Sequence, residues 1–163
     1  MNKKLCLAFA SFAVVGALVG AAFPASAWSV RQNSSFCMTD PGANVFHDGA
    51  GVSNNSTTVI GRLVCPVIDT SATPKTGILS FGVLVRDMST TDAARANACI
   101  QFGGAFGGTC GATAATSIAG TGTSSLSPSR AAWTGANDTP YIVVQLPVKA
   151  ATVSHLMGYS FSG

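Results

Sequence analysis

The feature that most constrains the fold is a series of short, strand-like runs separated by turn residues. β-Branched and aromatic residues recur in these runs among small or polar ones, which is the composition of a half-buried pleated surface. The runs are Ala43–His47, Thr58–Ile68, Ile78–Arg86, Ala96–Phe102, Pro140–Val148 and Thr152–Phe161. Short strands at this spacing predict an all-β fold, a small antiparallel β-sandwich, with a β-barrel as the alternative.

Two segments depart from this pattern. Thr90–Ala98 is the one competitor for a helix, and we interpret it as a connection. Residues 103–127 are rich in glycine, serine and threonine and have little to bury, so the sequence predicts the most mobile part of the chain there. Ordinary loops are much shorter, so either a weak strand near Ala114–Ile118 lies inside this segment or the segment is a functional excursion.

The N-terminus is typical of a cleavable bacterial signal peptide. Two lysines precede an apolar run over residues 5–19, and the small residues Ala25 and Ala27 suit a signal peptidase. The apolar run is shorter than the roughly 20 residues that span a bilayer, which argues against a membrane anchor. We therefore predict a signal peptide over residues 1–27 and one secreted β domain over residues 28–163, in the periplasm or the medium.

The predicted mature part is almost neutral. Its seven basic residues stand against six aspartates and no glutamate, so its net charge is +1. The basic residues are scattered and lack interleaved aromatic residues, which argues against nucleic-acid binding. A low net charge favours self-association, because little repulsion keeps copies apart.

Four cysteines remain after the predicted cleavage: Cys37, Cys65, Cys99 and Cys110. An even number in an exported chain predicts two disulfides, although counting alone leaves three connectivities open. There is no Cys-x-x-Cys pair and no second histidine at ligand spacing, so no metal site is predicted. Because Cys99 and Cys110 flank the glycines of residues 103–108, a tight turn would bring them together, which leaves Cys37 for Cys65. Each bridge is expected to contribute about 3 kcal/mol.

Closing the loop between Cys99 and Cys110 would hold Phe106 at a glycine-rich tip. An aromatic side chain there has little core to join, so Phe106 is a candidate binding anchor. The alternative is that it folds back onto the sheet.

No catalytic or cofactor-binding constellation stands out. His47 and Asp48 are adjacent, and neighbours on a strand point to opposite faces, so they are poorly placed as a base and its orienting carboxylate. No Gly-x-Ser-x-Gly elbow occurs. The aspartates fall mostly in apparent turns, where aspartate is locally useful, which argues against a glycosidase pair.

Several short elements are spread over the predicted mature chain: Val64-Cys65-Pro66, Cys99, Gln145-Leu146-Pro147 and Gly158-Tyr159. Together they resemble the pattern of uncharacterised small secreted proteins of Gram-negative, myxobacteria-like bacteria. Val144 and Gln145 stand where that pattern often has a cysteine, so no disulfide pairing is taken from it. The resemblance implies a secreted β domain and carries no known activity.

These observations favour an exported, non-enzymatic domain that acts by surface display or binding, with partners unknown. One alternative is a small secreted hydrolase that uses His47 or His155. Another is a structural subunit that self-assembles.

Overall fold

The computed structural model describes residues 28–41, 43–68, 70, 75–103, 108–118, 121–132 and 137–163. Within these ranges the chain forms twelve strands and two 3-10 turns, Ser34–Phe36 and Lys75–Gly77. The strands are β1 (Ser29–Asn33), β2 (Met38–Thr39), β3 (Val45–Asp48), β4 (Gly51–Asn54), β5 (Gly61–Pro66), β6 (Ser80–Asp87), β7 (Arg95–Gln101), β8 (Gly108–Cys110), β9 (Ala114–Ala115), β10 (Gly122–Leu126), β11 (Thr139–Leu146) and β12 (His155–Ser162). No helix in this part of the chain is long and apolar enough to cross a membrane.

The strands form two antiparallel sheets. Sheet A has the order β10-β6-β12-β4-β3, and β1 also pairs with β12. Sheet B has the order β2-β5-β11-β7-β8, and β9 also pairs with β7. The predicted all-β antiparallel sandwich is confirmed, and the alternative of a barrel is wrong because the strands divide between two sheets that are not closed into one.

The core lies between the two sheets. In β6 the side chains of Phe81, Val83 and Val85 are buried, while those of the intervening residues are not. In β11 of sheet B the core residues Ile142 and Val144 also alternate, although Val143 between them is buried as well. Full burial of one such side chain contributes roughly 1.5–3 kcal/mol, so the two inward-facing surfaces drive the assembly of the sandwich.

Each of the six predicted runs contains or overlaps a strand of the structure. The other six strands were not predicted as separate runs, and most are short or lie at an edge of a sheet. Strands β8, β9 and β10 all lie within the glycine-rich segment of residues 103–127. These three strands pair with β7 and β6, and β9 corresponds to the first of the two alternatives, a weak strand near Ala114–Ile118.

Both disulfides have the predicted pairing. Cys37–Cys65 lies in the core, where both residues are buried. Cys99–Cys110 joins directly opposed residues of β7 and β8, and Cys110 is exposed. Two disulfides are compatible with an oxidising environment outside the cytoplasm. The predicted signal peptide and the tip residue Phe106 lie outside the described residues.

Candidate functional site

The outward face of sheet A brings together charged residues that are far apart in the sequence. His155, at the start of β12, lies directly opposite Arg86 of β6 on one side and Ser53 of β4 on the other. Directly opposed residues of an antiparallel pair project to the same face of the sheet. The next residue, Leu156, is part of the core, so His155 and Arg86 project away from it.

An open pocket of about 390 Å³ lies at this position. We call it the cationic pocket; its lining residues are Asn55, Arg86, Met88, Lys149, Ala151, Thr152, Val153 and His155. Arg86 and Lys149 are both exposed. Among the residues that the structure describes, no carboxylate lies within 4.0 Å of either cation. Arg86 and Lys149 therefore have no ion-pair partner within the part of the chain that the structure describes.

His155 forms a pair with Asp48 at the edge of this pocket. Its Nε2 lies 3.3 Å from Oδ2 of Asp48, and the imidazole is only 13% exposed. The other oxygen of Asp48 accepts hydrogen bonds from the backbone N–H groups of Ala50 at 2.8 Å and Gly51 at 3.0 Å, in the turn between β3 and β4. The pKa of Asp48 is lowered, mainly by the hydrogen bond from Ala50. Desolvation raises this pKa, and His155 and the hydrogen bond from Gly51 lower it further.

Among the described residues, His155 forms no pair of base and nucleophile. With Nε2–H donated to Asp48, the second ring nitrogen, Nδ1, carries the lone pair that would act as a base. Nδ1 is buried and has no hydrogen-bond partner among the described residues. A hydrolytic triad requires a hydroxyl or thiol within hydrogen-bond reach of that nitrogen. The pair accordingly anchors His155 to the β3–β4 turn.

A buried asparagine fixes one wall of the cationic pocket. The Asn54 side chain is fully buried, and its Nδ2 donates to the carbonyl oxygens of Val59 at 2.9 Å and Pro147 at 3.0 Å. Its Oδ1 accepts the N–H of Ser56 at 3.0 Å, and the carbonyl of Ser56 accepts the N–H of Lys149 at 2.6 Å. Asn54 thus holds together the two loops that supply Asn55 and Lys149.

A buried carboxylate fixes the opposite wall. Asp87, the last residue of β6, is 1% exposed. Its Oδ1 accepts from the N–H of Ser89 at 3.0 Å and the hydroxyl of Ser154 at 2.9 Å. Its Oδ2 accepts from the N–H of Ala94 at 2.8 Å and the hydroxyl of Thr116. These four donors come from both sheets or the segments leading into them, so Asp87 joins the sheets at the end where the pocket lies.

Pocket residues alternate with these buried polar residues along the chain. Asp87 lies between the pocket residues Arg86 and Met88, and Ser154 lies between Val153 and His155. The hydroxyl of Ser154 accepts a hydrogen bond from the backbone N–H of Met88 at 2.9 Å. Successive side chains of a strand point to opposite faces, so each inward anchor fixes its outward neighbours.

From the sequence, His155 is a candidate base with no assigned partner, and Asp48 is weighed beside His47 and among the aspartates of a glycosidase pair. In the structure Asp48 pairs with His155, 107 positions away. Most aspartates are predicted to lie in turns, and Asp87 is an exception because it ends a strand and is buried. The sequence does carry a signal that Asp87 is buried, because it occupies the inward position that follows Phe81, Val83 and Val85 in an alternating run. No family model, curated protein or solved structure matches the chain.

Proposed function

We propose that the chain is an exported, non-enzymatic binding domain whose cationic pocket holds an anionic group of its ligand. The observation that carries this proposal is the pair Arg86 and Lys149, two cations that line one pocket and have no carboxylate partner among the described residues. An arginine guanidinium binds carboxylate, phosphate or sulfate oxygens through two parallel charge-assisted hydrogen bonds. Lysine adds a mobile positive charge.

The rigid frame around the pocket supports binding. Asn54 and Asp87 fix the backbone on opposite walls through seven hydrogen bonds to groups that are mostly buried. A preformed site loses less conformational entropy when its ligand binds, so more of the interaction energy appears as affinity. The volume of about 390 Å³ is within the range of small-ligand sites.

Two further observations favour binding over hydrolysis and favour export. His155 has a carboxylate on one nitrogen but no nucleophile on the other within the described ranges. Export is supported by the lysine-plus-apolar N-terminal sequence together with two disulfides, which persist in oxidising compartments.

The test is an anion titration of the purified chain followed by NMR. Acetate, phosphate and sulfate are added separately, and we expect the backbone signals of residues around Arg86 and Lys149 to shift in a saturable way with at least one anion. The double variant Arg86→Gln/Lys149→Gln is expected to weaken that binding at least tenfold. The matched control is Arg95→Gln, which removes an exposed arginine of sheet B that already pairs with Asp92 at 3.2 Å.

Three results would overturn the proposal. One is the absence of saturable shifts at the pocket with all three anions. Another is an equal loss of binding in the Arg95→Gln control, which would show a general charge effect. The third is turnover of ester, peptide or glycan substrates that disappears in His155→Ala, because that would make the chain an enzyme.

A further inference from the structure

A second depression lies on the same outward face of sheet A, next to the cationic pocket. Its volume is about 340 Å³. Outward residues of β6 and β12 form its floor: Ser160 lies opposite Gly82, and Gly158 lies opposite Leu84. The next outward position along β6 is Arg86, which already belongs to the cationic pocket. The two depressions therefore lie next to one another on this face of the sheet, and we call them together the groove.

Strand geometry gives the length of this groove. From Gly82 to Met88 there are six residue steps, which at about 3.3 Å each make roughly 20 Å. The pairing register between β12 and β6 shifts between Leu156 and Gly158, so a bulge lies where the two depressions meet. A bulge bends the strand locally and increases its twist.

The floor of the groove is low because two of its residues are glycines. A Cβ at Gly82 would come within 2.7 Å of the Ser160 hydroxyl, and one at Gly158 within 2.9 Å of the carbonyl oxygen of Gln32. Side chains at these positions would fill the depression. The remaining lining includes the hydroxyls of Ser125 and Ser160 and the partly exposed apolar surface of Leu84.

The far end of the groove carries a third cation. Arg31 of β1 lies opposite Ser160, lines the second depression and is exposed. No described carboxylate lies within 4.0 Å of it. Arg31 and Arg86 are separated by four residue steps along the strands and by two strand spacings across them, so their Cα atoms are roughly 16 Å apart.

We propose that this groove binds an extended acidic polysaccharide, with one acidic group in the cationic pocket and another at Arg31. This inference rests on the proposed function and extends it from a single anionic group to a chain. Positive charge stands at both ends, and between them lie hydroxyl groups that can exchange hydrogen bonds with sugar hydroxyls.

The same surface is poorly suited to other extended anions. Single-stranded nucleic acid is held by stacking of its bases on aromatic side chains. The one aromatic residue in the described lining is Tyr159, which is 3% exposed and directs its hydroxyl to the carbonyl oxygen of Pro66 in the other sheet. A peptide strand adds to the free edge of a sheet, but β6 and β12 are both paired on two sides.

The test compares chain lengths by isothermal titration calorimetry. The probes are galacturonate, hexagalacturonate and a dextran sulfate fragment of similar length, each measured with the whole chain. We expect hexagalacturonate or the sulfated fragment to bind at least tenfold more tightly than the monomer. Arg31→Gln should abolish this gain in affinity, and Arg86→Gln/Lys149→Gln should weaken the binding of both the monomer and the oligomer. Arg95→Gln serves again as the control.

The possible failures are distinguishable. If the monomer binds and the oligomers bind no more tightly, or if Arg31→Gln does not change their affinity, the proposal of an extended groove is wrong while the proposed function stands. If oligothymidylate or poly-glutamate of equal charge binds as tightly as the saccharide, the polysaccharide assignment is wrong. If no probe binds, the polysaccharide proposal fails, and the anion titration decides separately whether the proposed function stands. If the cationic-pocket variant leaves monomer binding intact, both proposals fail.

Discussion

Asp87 is expected to be the most sensitive polar position in the domain. It is a carboxylate that is 1% exposed and accepts four hydrogen bonds, two from backbone N–H groups and two from hydroxyls. Asp87→Asn preserves the shape and one acceptor oxygen, which keeps the bonds from Ser89 and Ser154. The new amide group turns its own donors towards the N–H of Ala94 and the hydroxyl of Thr116.

The magnitude follows from these two altered contacts. A hydrogen bond to a charged group contributes about 1.5–3 kcal/mol, and a buried donor left unpaired costs about 1–3 kcal/mol. Part of this cost is recovered, because the N–H of Ala94 also donates to Oγ1 of Thr116 at 2.9 Å. We therefore expect Asp87→Asn to lower the free energy of unfolding by about 2–4 kcal/mol. Asp87→Ala removes the acceptor of all four donors and should lower the free energy of unfolding by a larger amount.

The assay is equilibrium unfolding in guanidinium chloride with both disulfides intact. A stability effect appears as a lower midpoint at an unchanged dependence on denaturant. Asp40→Asn is the matched control, because Asp40 pairs with Arg62 at 2.6 Å on the surface and such pairs contribute about 0–1 kcal/mol. A difference between Asp87→Asn and Asp40→Asn below about 0.5 kcal/mol would refute the reasoning, since it would show that the buried carboxylate is not needed to join the sheets.

Three further predictions concern the backbone, the disulfides and a phenol. Gly51 and Gly122 have nearly the same φ, +142° and +143°, but of the two only Gly51 has a backbone oxygen, 2.1 Å away, where a Cβ would lie. Thermal unfolding should therefore show a larger loss of stability for Gly51→Ala than for Gly122→Ala. Stepwise reduction and alkylation mapped by mass spectrometry should open Cys99–Cys110 before the buried core disulfide, because Cys110 is exposed. Burial raises the pKa of Tyr159 to about 12, so its neutral form stabilises the fold fully below pH 10 and this contribution falls as pH rises from 10 to 12. Ultraviolet titration should show a phenol ionising near pH 12 that Tyr159→Phe removes; an unchanged titration curve would contradict the assignment.

The amino-acid sequence determined the fold class and the disulfide pairing through local signals. Alternating apolar residues in the run that became β6 specify which side of the strand is buried, and the continuous apolar run of β11 is typical of a buried strand. Both signals are contained in neighbouring residues. The pairing of Cys99 with Cys110 followed from their spacing of 11 positions around a glycine-rich turn. Such features are predictable because they need no knowledge of distant contacts.

The short edge strands had no comparable local signal. The residues of β1 and β10 are largely polar, and their extended conformation comes from the ladders that they form with β12 and β6. β-Structure depends strongly on its neighbours, so a strand of weak propensity forms where a partner supplies the hydrogen bonds.

Only the tertiary structure decided the candidate site. Arg86, Lys149 and His155 come from three segments, and they meet because β12 pairs with β6 in one register while a buried asparagine ties the Lys149 loop to the end of β4. A shift of that register by one residue would move His155 to the other face of the sheet. The sequence by itself determines which residues suit a strand, but the relative positions of charged side chains depend on long-range pairing, which is fixed when the two inward faces pack together.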